Sequence, residues 1–98
     1  MEKRIFEIVD KTRRRIHLSS ERWSHIRKRH PEVDDVELIK ETLERPDKIT
    51  EFSFDEYVRY YYRYYKNIKS QNRYLQIVVK YLNDHGFIIT AQFKSRIK

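Results

Sequence analysis

Hydrophobic and polar positions follow two different periods along this chain, and the changes of period mark out its strands and helices. Lys3–Val9 alternates: Ile5, Glu7 and Val9 point one way, Arg4, Phe6 and Ile8 the other. Asp10-Lys11-Thr12-Arg13 is a turn and Arg15-Ile16-His17-Leu18 a second short strand, which predicts a hairpin. Ser19-Ser20 then offers an N-cap, with Glu21 in the first turn where the helix dipole favours a carboxylate. This helix runs to about His30 and is stopped by Pro31. Trp23, Ile26 and His30 share its core stripe, and Arg22, His25 and Arg29 share the adjoining face. A second helix starts near Asp34-Asp35, carries Val36, Ile39 and Leu43 on one side, and ends before Pro46.

From Ile49 the period returns to two, with strands expected at Ile49–Phe54, Glu56–Tyr65, Arg73–Leu82 and Phe87–Lys94. The order β-β-α-α-β-β-β-β predicts an α+β fold and a single domain over residues 1–98. Two helices from the N-terminal half would pack on one face of a twisted antiparallel sheet, leaving the other face active. Leu75, Ile77, Val79 and Tyr81 are apolar and read as the covered side, as do Phe87, Ile89, Ala91 and Phe93. Gly86, the only glycine, fits the left-handed position of a three-residue loop Asp84-His85-Gly86, which sets Lys80 opposite Thr90. In the long tyrosine-rich strand, Val58, Tyr60, Tyr62 and Tyr64 are expected against the helices. Tyr57, Arg59, Tyr61, Arg63 and Tyr65 are expected on the polar face with Lys80 and Thr90.

Charge makes that polar face interesting. The net charge is +7, and it is segregated. Residues 1–31 carry ten Lys/Arg against four acids, residues 32–56 three against ten, and residues 57–98 nine against one. Aromatic rings alternating with guanidinium groups supply stacking platforms and phosphate clamps, the combination used on single-stranded nucleic acid. The structural alternative is a solvated face, since Tyr is a good strand former and Arg a good edge residue.

What is missing narrows the chemistry. There is no cysteine, so neither a disulfide framework nor a thiolate metal site is available. One glycine excludes a glycine-rich phosphate loop, and no acidic cluster falls on the polar strands. His25 and His30 lie five apart, off the i, i+4 spacing that brings two metal ligands together, so no metal and no cofactor is expected. No apolar run reaches the ~20 residues of a membrane span, and no apolar stretch follows Met1-Glu2-Lys3-Arg4 as in a signal peptide, so the expected location is the cytoplasm. His, Arg, Lys, Tyr and Thr remain. That set supports metal-free RNA cleavage, in which the substrate's own 2′-OH attacks phosphorus and the protein supplies acid, base and cations.

Five segments carry a resemblance. His25-Ile26-Arg27-Lys28-Arg29-His30-Pro31-Glu32, Leu43-Glu44-Arg45-Pro46-Asp47, Arg59-Tyr60-Tyr61, Val78-Val79-Lys80 and Ile89-Thr90-Ala91 together resemble the phage- and toxin-associated branch of the barnase–EndoU–colicin E5/D–RelE-like (BECR) ribonucleases. The likeness runs from about Ile16 to Lys94. It implies helices on one face of an antiparallel sheet and a metal-independent endoribonuclease, often a toxin held by an antitoxin. By the same likeness His25, His30, Arg59, Lys80 and Thr90 are the candidate catalytic residues. Arg22, Arg29, Tyr57, Tyr61, Arg63 and Gln92 are the candidate RNA contacts. RNA is the expected partner, with an antitoxin bearing an acidic segment as a second. The alternative is a non-catalytic RNA- or DNA-binding module using the same basic tyrosine and arginine face.

Overall fold

Eight elements form in the expected order in the structure, a computed structural model that describes residues 3–98. Met1 and Glu2, the start of the stretch read for a signal peptide, lie outside the described residues. A hairpin of β1 (Arg4–Val9) and β2 (Arg15–Ser19) leads into α1 (Ser20–Arg29) and α2 (Val36–Glu44). Then come β3 (Lys48–Phe52), β4 (Asp55–Tyr64), β5 (Tyr74–Leu82) and β6 (His85–Lys94). Local chemistry sets the helix ends. The Ser19 side chain accepts from the Arg22 N–H at 3.1 Å, and Asp35 accepts from Glu37 N–H at 2.9 Å. Arg27, Lys28 and Arg29 crowd the last turn of α1, where cations favour the dipole. His30 caps it, its backbone N–H donating to the Ile26 carbonyl at 2.7 Å.

The strands make one six-stranded sheet in the order β1-β2-β6-β5-β4-β3. All neighbours are antiparallel except β2 and β6, which run parallel, a departure from the all-antiparallel expectation. The chain leaves the sheet at the end of β2 for both helices, and its last strand returns beside β2. Ile26, Ile39 and Leu43 from the helices join Ile16, Leu18, Leu75, Ile77, Val79, Ile88, Ala91 and Phe93 in one core. The three helix residues are fully buried, each contributing roughly 1.5–3 kcal/mol over exposure.

The β5–β6 connection differs from the expectation. It is a two-residue turn, Asn83-Asp84, and Asn83 rather than Gly86 takes the left-handed conformation, with φ 56°. Lys80 therefore pairs with Phe87, and Thr90 with Val78. A bulge then leaves Ile89 outside the ladder and resets the register. As a result Gly86 and Ile88, not Phe87 and Ile89, enter the covered face, while Ala91 and Phe93 remain on it. Gly86 is needed for space: an added Cβ would lie 2.8 Å from the Lys80 carbonyl oxygen.

Candidate nucleic-acid interface

Residues paired across a sheet share a face, so the registers lay out the uncovered surface row by row. Glu7, His17, Phe87, Lys80 and Val58 form one row across five strands. Thr90, Val78, Tyr60 and Thr50 form the next. Gln92, Gln76, Tyr62 and Lys48 follow, then Lys94, Tyr74 and Tyr64. Glu7 is the one acid in these rows. Gln92 donates to the Gln76 side-chain oxygen at 3.3 Å, and Gln76 donates to the Tyr62 hydroxyl at 2.8 Å. Lys80 Nζ reaches Asp55 Oδ2 at 3.1 Å. The Tyr57 backbone N–H and then Lys80 hold the Asp55 carboxyl below its ordinary range. A cationic, aromatic sheet face is present, built from the even tyrosines of β4.

The odd residues of β4 face the other way, which corrects the parity expected for that strand. Arg59 pairs with Val79, Tyr61 with Ile77 and Arg63 with Leu75, all on the helix-covered side. Tyr61 is fully buried in the core. Arg63 is a clasp: it ion-pairs with Glu41 at 3.5 Å and donates to the Arg45 carbonyl at 2.6 Å, tying β4 to the end of α2. Arg59 ion-pairs with Glu51 at 3.7 Å and donates to the Val58 carbonyl at 3.0 Å. With exposed Tyr57 it borders a cleft shared with Arg14 and Tyr81.

The catalytic candidates consequently do not meet in one place. Lys80 and Thr90 are in adjacent rows of the uncovered face. His25 is exposed on α1, in a shallow cleft with Glu21, Arg22, Ser24 and Lys28. His30 is half-buried as the helix cap, and Arg59 belongs to a separate cleft. Of the RNA-contact candidates, Gln92 is on the uncovered face, Arg22 and Arg29 are on α1, and Tyr61 and Arg63 are held in structure.

The parity of β4 brings Tyr61 to a buried acid, Asp10, that reads in the sequence only as a turn residue. Asp10 is only 5% exposed, and its Oδ2 accepts from the Tyr61 and Tyr81 hydroxyls at 2.5 Å each. Its Oδ1 accepts from the Thr12 and Arg14 backbone N–H groups at 2.9 and 3.0 Å, and from the Thr12 hydroxyl at 2.8 Å. Burial opposes the Asp10 charge, but the hydrogen bonds from Tyr61, Tyr81, Arg14 and Thr12 outweigh it and hold the carboxyl below its usual range. Burial beside that carboxylate pushes the Tyr81 hydroxyl up to about 12 and the Tyr61 hydroxyl higher still. The Arg14 guanidinium lies 4.3 Å over the Tyr81 ring. One signal was legible: an acid directly after an alternating strand, with Thr two residues on, forms an Asx turn whose second oxygen is free to reach inward.

The family model for phage-Barnase-EndoU-ColicinE5/D-RelE like nuclease 2 matches residues 2–98. The chain belongs to this nuclease family. Searches of curated proteins and of solved structures give no match. For a BECR-like nuclease, the fold supplies what the resemblance implies, two helices and a six-stranded, mostly antiparallel sheet. Among the described residues no helix is long and apolar enough to cross a membrane.

Proposed function

We propose that this BECR-like nuclease is a metal-independent endoribonuclease that works on the uncovered sheet face. The single observation that carries the reading is the concentration there of Lys48, Lys80, Lys94, Tyr60, Tyr64 and Tyr74, on a chain whose whole length matches a nuclease family. Half-buried Tyr60 and Tyr74 and exposed Tyr64 offer rings for unpaired bases. Lys80 and Thr90 contact phosphate oxygens, and Gln92 a flanking nucleotide. The RNA 2′-OH attacks the adjacent phosphorus, leaving 2′,3′-cyclic phosphate and 5′-hydroxyl ends. His25 and His30 lie on the helix side, so they do not share a centre with Lys80 and Thr90. The proton carriers lie on the uncovered face.

The nuclease acts in the cytoplasm as the toxin of a toxin–antitoxin pair, and an antitoxin with an acidic segment blocks the basic face. Incubation with mixed-sequence RNA in excess EDTA, with the fragment ends mapped, tests the reading. Cyclic phosphate and 5′-hydroxyl ends are the expected result. RNA retained on the protein at low salt but left whole would favour the non-catalytic binding module.

A further inference from the structure

Two histidines that no motif accounts for are brought together by the one parallel pairing of the sheet. Arg15 of β2 lies opposite His85 of β6, and His17 lies opposite Phe87. His17 and His85 therefore sit one strand across and two residues along on the same, uncovered face, roughly 8 Å apart at Cα from strand spacing and rise. Both line a cleft of about 530 Å³ between the β1–β2 hairpin and the Asn83-Asp84 turn. Arg4, from β1, and Arg13 and Arg15, from the turn and the start of β2, line it too. Glu7 and Asp84 are the acids that face the same cleft.

The acids offset this charge only in part. Glu7 ion-pairs with Arg4, three residues before it on β1. Asp84 is almost fully exposed and lies 3.5 Å from His85 Nδ1. Three arginines against two carboxylates leave the cleft cationic before either histidine is protonated. The backbone that carries Arg13 is fixed by its turn. It occupies the left-handed region, φ 68°, where a residue with a Cβ is disfavoured. The turn around it is fixed by the Asp10 carboxylate and by the Arg13 N–H donating to the Asp10 carbonyl at 3.0 Å. Beside the histidines, the Phe87 ring lies 6.2 Å from that of His17 and provides a surface for a base.

We propose that this cleft is the phosphodiester site of the ribonuclease, with His17 and His85 as its acid/base pair, an assignment that rests on the RNA-cleaving reading above. One neutral imidazole takes the 2′-OH proton as that oxygen bonds to phosphorus. The P–O5′ bond breaks, and the leaving oxygen receives a proton from the other, protonated imidazole. Arg13 and Arg15 hold the non-bridging oxygens as charge builds on them. Protons balance across the step.

The test uses the full chain, mixed-sequence RNA in EDTA, and inorganic phosphate as a probe of the site. His85→Ala, at the exposed start of β6, and His17→Gln should each cut cleavage by about 10²–10⁴-fold while RNA is still retained at low salt. Phosphate should shift the imidazole resonances of His17 and His85, and Arg15→Gln should weaken that response. Cleavage that persists in both histidine variants would overturn the assignment and leave the ribonuclease reading standing. RNA left whole by the wild-type chain would overturn both, because the pair would have no reaction to serve.

Discussion

Tyr61 and Tyr62 are consecutive, equally buried, and opposite in use. Neither exposes any surface. Tyr61 faces the helices and delivers its hydroxyl to the Asp10 carboxylate, in a closed knot with Tyr81. Tyr62 faces away from them and accepts from Gln76, which in turn accepts from the half-buried Gln92. On the covered face Tyr61 thus belongs to a charged, saturated cluster that locks the β1–β2 turn. The uncovered face keeps a neutral chain ending at a side chain that solvent, or a nucleotide, can reach. Burial alone does not separate structure from function in this sheet; the partner of the buried group does.

Asp10→Ala is the strongest way to break that contrast. It removes the acceptor of two buried hydroxyls and two turn N–H groups, and unsatisfied groups of this kind cost about 1–3 kcal/mol apiece. A loss of roughly 3 kcal/mol or more should lower the melting temperature by on the order of 15 °C. Tyr62→Phe removes one neutral hydrogen bond and should cost about 1 kcal/mol. Thermal unfolding of the two variants decides it: equal losses would mean that the knot is no more than another buried pair. Asp10→Ala should also loosen the turn that presents Arg13, and so weaken the phosphate response of the cleft.

The same knot sets a pH dependence of definite sign. The Tyr81 hydroxyl, pushed to about 12 in the fold, ionises near 10 in the unfolded chain. The stabilisation is complete below about 10 and is lost as pH rises toward the folded value. At the acid end, Asp10 is held below its ordinary 3.8, so its contribution is present above that value and disappears as pH falls beneath it. Tyrosinate absorbance should show Tyr61 and Tyr81 ionising only together with unfolding. Tyr61→Phe should flatten the alkaline loss, and an unchanged slope would place its origin elsewhere.

What could be read in the sequence was what local chemistry decides. Ser19, Asp35, Pro31 and Pro46 mark the helix ends because capping and φ restriction act within a few residues. All six strands showed their period. The face of β4 did not, because its odd and even positions alike are mostly tyrosine or arginine. Its orientation goes with contacts far along the chain, among them Asp10, 51 residues before Tyr61. Gly86 is required by backbone crowding at Lys80 and not by the turn, which Asn83 makes. The pairing of β2 with β6, which brings His17 and His85 into one cleft, is equally non-local.

The smallest effect sharpens the uncovered side of the contrast. Lys80 donates to Asp55 at 3.1 Å, so a phosphate would compete with that carboxylate for it. Lys80→Ala should leave the melting temperature almost unchanged, weaken RNA retention, and reduce the slope of log affinity against log salt by about one phosphate contact. Asp55→Asn should act in the opposite direction, releasing the ammonium and tightening RNA by a few-fold at low salt, with the gain fading as salt screens it. Equal weakening in both variants would mean that the pair matters as a brace between β4 and β5. Opposite signs would mean that the lysine is held ready for RNA by an acid that phosphate displaces.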